Sequence, residues 1–119
     1  MRSRLLSCVV SCLLASAALP ALAGDFLDAL PDVPLMEGLQ EMPDDDIDFD
    51  VPEGRIVETS ATGQLSVDKV LAFYTRTLPQ LGWIQAGETT FRRDGETLTL
   101  EAVTAGPAIR VTFRLSPQQ

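Results

Sequence analysis

The sequence predicts an α+β fold, an antiparallel sheet of about five strands with one amphipathic helix packed on one face, in the order β-β-α-β-β-β. Three observations support it. Apolar and acidic residues alternate from Ile47, one stretch of helical periodicity follows Ser66, and Asp94-Gly95 separates two further alternating runs. The predicted organisation is a secretory signal peptide at 1–23, an acidic, proline-containing lead-in segment at 24–46 and an α+β domain at 47–119.

The first two strands form a predicted hairpin. Apolar and acidic residues alternate over Ile47, Asp48, Phe49, Asp50 and Val51. This period of two indicates a half-buried strand, so we expect the apolar side chains to face the core and Asp48 and Asp50 to point outward. Pro52-Glu53-Gly54 is a tight-turn sequence, because proline presets φ and glycine tolerates positive φ. Residues 55–63 follow as the second strand.

The predicted helix begins after Ser66, which is a good N-cap residue. One helical face carries Val67, Val70, Leu71, Tyr74 and Leu78, widened by Phe73. Pro79 removes a backbone hydrogen bond and crowds the preceding turn, so we expect the last turn to be distorted. Gly82 suits the left-handed position after the helix, and a Schellman ending would place Trp83 against Leu78. Residues 83–86 are compatible with a short extra strand.

Two hairpins complete the predicted sheet. The Asp94-Gly95 turn pairs Phe91 with Leu98 and Arg93 with Glu96. A second turn at Ala105-Gly106 gives the pairs Ala102–Ile109, Leu100–Val111 and Leu98–Phe113. One face then carries Phe91, Leu98, Leu100, Ala102, Ile109, Val111, Phe113 and Leu115. The other face carries Arg92, Thr97, Thr99, Glu101, Arg110, Thr112 and Arg114. Both hairpins place their apolar residues on one face, which supports these registers.

Residues 1–23 have the pattern of a cleavable secretory signal peptide. Arg2 and Arg4 precede an apolar stretch that ends in Ala21-Leu22-Ala23, a small-residue cleavage site. We therefore predict a periplasmic or extracellular protein with no stable membrane span after cleavage. Two alternatives are an uncleaved anchor and a lipoprotein modified at Cys8, but the apolar stretch is barely long enough to span a bilayer and Cys8 comes too early.

Composition excludes several classes of function. Removal of 23 of the 119 residues leaves 96 without cysteine, and the chain has no histidine. Serine–histidine and cysteine–histidine catalysis and His/Cys zinc sites are thereby excluded, and we predict no catalytic, cofactor-binding or metal-binding residues. Loss of Arg2 and Arg4 changes the net charge from −8 to −10, and residues 25–54 hold eleven acidic residues and no basic one. Such a chain repels nucleic acids, which we exclude as partners.

Two sets of residues form the predicted interaction surface: Met36, Leu39 and Met42 in the lead-in segment, and Arg92, Arg110 and Arg114 on the polar sheet face. The first set recurs every three residues and either packs against the domain or docks a partner. The arginines either receive an anionic group, dock the acidic residues 41–50 of the same chain, or belong to an ordinary polar face with Glu101 opposite Arg110.

The acidic run over residues 44–50 is compatible with calcium ligation or with a solvated strand edge. It lacks the glycine and the glutamate that an EF-hand loop requires at its sixth and twelfth positions. The aromatic residues Phe73, Tyr74 and Trp83 are compatible with a ligand pocket, although such residues at a helix end more often form core.

The stretch Phe73-Tyr74-Thr75-Arg76-Thr77-Leu78-Pro79-Gln80-Leu81-Gly82-Trp83, followed by a hairpin, resembles small exported bacterial proteins of uncharacterised function. The resemblance covers about residues 47–115 and implies an α+β fold in the cell envelope, without an activity or site residues. We predict a non-catalytic periplasmic accessory or interaction protein with an envelope protein as its partner. The alternative is a small-ligand or calcium-binding periplasmic protein.

Overall fold

A computed structural model describes residues 24–118, so the predicted signal peptide lies outside the described residues. The fold is α+β, with one helix and a mostly antiparallel sheet. The strands are β1 Gln40–Glu41, β2 Ile47–Val51, β3 Gly54–Gly63, β4 Ile84–Gln85, β5 Thr90–Arg93, β6 Glu96–Ala105 and β7 Ala108–Pro117. The helix α1 spans Val67–Thr77, and 3₁₀ turns span Pro43–Asp45 and Leu78–Leu81. No helix within residues 24–118 is both long and apolar enough to cross a membrane.

The sheet has seven strands rather than about five, and the predicted element order is wrong. The spatial order is β1-β3-β7-β6-β5-β4, and β2 pairs with the same edge of β3 as β1 does. The additional strands, β1 and β4, have two residues each, and β4 lies within residues 83–86, where the sequence is compatible with a short extra strand. They arise where the chain runs beside a longer strand for two residues, which leaves almost no periodic signal in the sequence.

The Asp94-Gly95 hairpin has the predicted register, with Phe91 opposite Leu98 and Arg93 opposite Glu96. Both turn residues have positive φ, 50° and 78°, as a type I′ turn requires. The predicted register of the next hairpin is wrong by two residues, because the turn lies at Gly106-Pro107. Gly106 has φ 63°, and a glycine followed by another residue is the type II′ signal.

The corrected β6–β7 pairs are Leu98–Leu115, Leu100–Phe113 and Ala102–Val111, and Glu101 lies opposite Thr112 rather than Arg110. A shift by an even number of residues keeps every side chain on its predicted face. The apolar face of β5, β6 and β7 therefore forms the core, with seven of the eight predicted residues buried and Ala102 half-buried.

Helix α1 covers this core face. Val70, Tyr74 and Leu78 are buried, and the ring of Tyr74 makes edge contacts with Phe113 at 5.2 Å and with Phe73 at 4.9 Å. The side chain of Ser66 accepts a hydrogen bond from the backbone N–H three residues later, which confirms the predicted N-cap.

The end of the helix also follows the prediction. The turn that contains Pro79 is 3₁₀, and Gly82 adopts φ 89°. The N–H of Gly82 donates to the carbonyl of Pro79, and that of Trp83 donates to the carbonyl of Leu78, both at 3.2 Å. These two bonds make a Schellman motif, and they bring Trp83 into the same buried cluster as Leu78.

The lead-in segment forms part of the core. Leu27, Leu30, Val33 and Leu39 are buried in the same apolar cluster as the sheet and the helix. The hydroxyl of Tyr74 donates to the carbonyl oxygen of Pro34 at 2.8 Å and accepts from the N–H of Met36 at 3.3 Å. A single helical side chain thereby binds the backbone of the lead-in segment at two nearby residues.

A second set of contacts joins the lead-in segment to the hairpin of β5 and β6. Arg93 donates to the carboxylate of Asp32 at 2.8 Å and to the carbonyl of Leu81 at 3.1 Å, and its guanidinium lies 4.6 Å from the ring centre of Trp83. Such a cation–π contact covers the apolar face of the indole while leaving the charge partly hydrated. Trp83 is thus buried between the helix end, the lead-in segment and β5.

Strand β2 has its predicted bounds, but its two faces are the reverse of the prediction. Asp48 pairs with Val57, which is buried on the core face, whereas Ile47 pairs with Glu58 and Phe49 with Ile56. Directly paired residues share a face, so the apolar residues of β2 lie on the face away from the helix. The aspartates lie on the helix side, where they remain exposed at the sheet edge.

Candidate interaction surface on the open face of the sheet

The face of the sheet opposite the helix, called here the open face, is covered within residues 24–118 at one corner, where the turn Pro43–Asp45 contacts β3, Ser60 is buried and Asp45 binds Arg110. One complete row across it is defined by pairing through five strands: Ile47, Glu58, Arg114, Thr99 and Thr90. The next row contains Ser116, Thr97, Arg92 and Ile84. The face therefore runs from an apolar edge at β2 to a polar centre.

An edge cluster of four apolar residues marks the β2 side of the open face: Ile47, Phe49, Val51 and Ile56. Ile47 is 46% exposed and Phe49 is 48% exposed, while Val51 and Ile56 are half-buried. The open side of an antiparallel sheet is normally polar. Clustered apolar residues on such a face are the usual mark of a surface that another molecule covers.

A cleft of about 610 Å³ adjoins the edge cluster, and it is called here the arginine cleft. Its lining includes the apolar residues Val51 and Ile56 and the cations Arg92 and Arg114. Hydroxyl groups between them come from Thr97, Thr99 and Ser116. Neither arginine forms a salt bridge within the described chain, although Glu58 lies opposite Arg114 in register. The cleft thus combines two cations, hydroxyl donors and an apolar wall with one carboxylate, that of Glu53.

The third predicted arginine, Arg110, does not join this cleft. Its guanidinium donates to the carboxylate of Asp45 at 2.8 Å. The next residue, Asp46, accepts a hydrogen bond from the hydroxyl of Thr59, and the N–H of Met42 donates to the carbonyl of Ser60 at 2.8 Å. Part of the acidic segment is therefore docked on β3 and β7. Because the Arg110 pair is partly exposed, it contributes at most about 1 kcal/mol.

Met36 and Leu39, two of the lead-in residues of the predicted surface, lie on the helix side of the sheet. Met36 and Leu39 line a cleft of about 520 Å³, together with Phe26 and Phe73. Leu39 is buried and Met36 is half-buried, so most of their apolar area already packs within the chain. The six predicted residues are thus divided: two line the lead-in cleft, two line the arginine cleft, and Met42 and Arg110 line neither of them.

The ionisable groups show two shifts with clear causes. The hydrogen bond from Arg55 to Glu96 at 3.0 Å raises the pKa of that guanidinium, and burial raises the pKa of Tyr74. Both groups serve the packing between elements. Residues 24–118 contain no set of three or more aspartate, glutamate, cysteine or histidine side chains arranged to hold a metal ion. The calcium-binding alternative therefore has no geometric observation in its favour.

Sequence reasoning missed the edge cluster, because it assigned Ile47, Phe49 and Val51 to the core. The signal was present in part. Val51 pairs with Gly54 across a two-residue turn at Pro52-Glu53, and this pairing places Ile47 beside Glu58 on a common face. An apolar residue paired with a glutamate is a conflict that a buried face does not tolerate. The pairing of β3 with β7 then decides which face is open.

No family model, curated protein or solved structure matches this chain. The resemblance of residues 73–83 to small exported bacterial proteins stays a prediction.

Proposed function

We propose that this protein is a non-catalytic interaction module of the cell envelope, periplasmic or extracellular, that binds another envelope protein through the open face of its sheet. The observation that carries the proposal is the edge cluster, in which Ile47 and Phe49 remain about half exposed on the face opposite the helix. Export is supported by the signal-peptide pattern of residues 1–23.

Burial of apolar surface would supply most of the binding free energy. A partner that covers Ile47 and Phe49 removes their exposed apolar area from water. Each Å² of apolar area buried in this way contributes about 25 cal/mol of favourable free energy. Hot spots of protein interfaces are typically a few such residues surrounded by a polar rim. The threonines and arginines beside the edge cluster would supply that rim.

The test is site-specific photo-crosslinking in the native organism. A benzoylphenylalanine residue replaces Phe49 in the edge cluster, or, as a matched control, Leu71 on the helix side. We expect one envelope protein to crosslink from position 49 and not from position 71. Its capture from position 49 should be lost when the same benzoylphenylalanine protein also carries Ile47→Thr, in which threonine keeps the preference for strand.

The Ile84→Thr variant changes a residue of the same open face that is 72% exposed and lies at the opposite edge of the sheet. It should retain the crosslink. A partner that binds all variants equally, or a crosslink only from position 71, would contradict the proposal.

The arginine cleft favours a second candidate function, binding of a small anion. Two guanidinium groups without salt bridges in the described chain and three hydroxyl groups converge on a cleft of about 610 Å³. Titration with inorganic phosphate and with butyrate, followed by the amide resonances of Thr97 and Thr99, would test it. Saturable shifts that vanish in the Arg92→Gln, Arg114→Gln double variant would favour this function, and shifts that persist in the variant would reject it.

A further inference from the structure

Strand β2 forms part of one edge of the sheet. Within residues 24–118 it pairs only with β3, so its other side has no strand partner. In an antiparallel strand every second residue turns its N–H and C=O toward the neighbouring strand, and the intervening residues turn theirs the other way. The outer side of β2 thus offers backbone donors and acceptors to an additional strand.

The side chains of β2 differ sharply between its two faces. The open face carries Ile47, Phe49 and Val51, and the helix side carries Asp48 and Asp50. Both aspartates are exposed, and neither forms a salt bridge within the described chain, although Arg55, which binds Glu96, lies opposite Asp50 in register. By contrast, Asp45 and Asp46, which precede β2, are bound to Arg110 and Thr59.

Each face specifies what a new neighbouring strand should carry, because directly paired residues share a face and interact. Apolar side chains would extend the edge cluster, and lysine or arginine would pair with Asp48 and Asp50. The negative charge around β2 also favours a basic partner, since residues 25–54 contain eleven acidic residues and no basic one. Such a field speeds the approach of a basic segment and repels an acidic one.

A second copy of this chain does not fit the same edge. Pairing of two β2 strands with their apolar faces aligned would set Asp48 and Asp50 against the same aspartates of the other copy. Like charges directly opposite each other destabilise a strand pair. The acidic edge therefore disfavours self-association and selects a partner of opposite charge.

We infer that β2 accepts, as an additional antiparallel strand, an extended segment of the partner protein in which basic and apolar residues alternate. This inference rests on the proposed function and specifies the chemistry of the partner. Backbone hydrogen bonds would supply affinity, and the alternating side chains would supply selectivity, as in other cases of strand addition. The apolar residues of the segment would cover Ile47 and Phe49.

The test uses protein expressed from the full-length chain and a synthetic peptide of alternating lysine and valine. We expect saturable binding, with the largest amide shifts at residues 47–51 and at the paired residues of β3. A peptide with glutamate in place of lysine should not bind. A lysine–valine peptide that is N-methylated at every second residue, on the edge that would face β2, should also fail, because it cannot donate the backbone hydrogen bonds.

Charge is tested with two double variants that each remove two negative charges. Asp48→Asn, Asp50→Asn should weaken peptide binding by between about twofold and thirtyfold, as expected for two exposed ion pairs. The matched control, Asp44→Asn, Glu53→Gln, changes exposed residues outside β2 and should leave affinity within about twofold. All four residues are exposed, so both variants should fold normally.

The inference is overturned if the lysine–valine peptide does not bind, if the N-methylated peptide binds equally well, or if both double variants weaken binding to the same extent. A partner that crosslinks from position 49 while the peptide fails would refute strand addition and leave the proposed function standing. Peptide binding at β2 without any crosslinked envelope protein would support the inference and count against the proposed function.

Discussion

Replacement of Tyr74 by phenylalanine tests how the lead-in segment is held against the helix. The ring is buried and keeps its contacts with Phe113, so the variant removes only the hydroxyl. Two backbone groups lose their partner: the carbonyl of Pro34 at 2.8 Å and the N–H of Met36 at 3.3 Å. A buried backbone group left without a hydrogen bond costs about 1–3 kcal/mol.

The free energy of unfolding should fall by about 2 kcal/mol, which is near the lower end of the summed cost of the two unpaired backbone groups. The longer bond to Met36 contributes less than the other, and the variant no longer buries a hydroxyl. Urea unfolding can be followed by the fluorescence of Trp83, the only tryptophan in the chain. The slope of the free energy of unfolding against urea should stay unchanged, since the same surface becomes exposed.

Amide hydrogen exchange separates this local effect from general destabilisation. Exchange at Met36 should accelerate more than exchange at Val111 in the sheet centre. The control variant Phe73→Leu removes the neighbouring ring at 4.9 Å but leaves both hydrogen bonds of Tyr74 in place. A Tyr74→Phe variant within about 0.5 kcal/mol of the parent, with unchanged exchange at Met36, would refute this account of the lead-in.

Three further predictions concern stability. Burial raises the pKa of Tyr74 above 10.0, so the folded state favours the neutral phenol. The contribution of this phenol to the free energy of unfolding is complete below pH 10. Above pH 10 the free energy of unfolding should fall by about 1.4 kcal/mol for each pH unit. Urea unfolding at several pH values should show that excess slope in the parent and not in Tyr74→Phe, and an equal slope in both would exclude the phenol as its source. Gly63→Ala would place a Cβ atom 2.2 Å from the carbonyl oxygen of Gly38 and should cost about 2–3 kcal/mol, whereas Gly87→Ala meets only an ordinary contact at 3.6 Å. Thermal unfolding that ranks these two variants equally would reject the close approach. Ser66→Ala removes the N-cap acceptor and should cost about 1 kcal/mol, with Ser66→Thr as the variant that retains most of that stability in urea unfolding.

Local signals in the sequence predicted most individual elements correctly. The Asp94-Gly95 turn, the Ser66 N-cap and the Gly82 ending depend on the conformation of a few consecutive residues, so the residue types specify them directly. The second hairpin shows where this local information ends. Both Ala105-Gly106 and Gly106-Pro107 are turn sequences, and the same faces result from either, so alternation could not choose between the two registers.

The sequence also does not predict how deeply the lead-in segment is buried, again because local signals are missing. Leu27, Leu30 and Val33 are buried although the segment has no helix or long strand that would give them a periodic pattern. Their burial depends on Tyr74 and Arg93, residues about forty to sixty positions away that bind the backbone of Pro34 and the side chain of Asp32. Contacts of such separation cannot be inferred from a local window.

The sequence by itself determined that this chain forms an α+β fold, and which residues of each strand share a face, because alternation along a strand is a property of the backbone. It did not determine which face of β2 is covered. That depends on the pairing of β3 with β7 and on where the helix and the lead-in segment lie over the sheet. Only this tertiary arrangement places Ile47 and Phe49 on the open face and leaves Asp48 and Asp50 exposed at the edge, the placement on which the proposed binding surface depends.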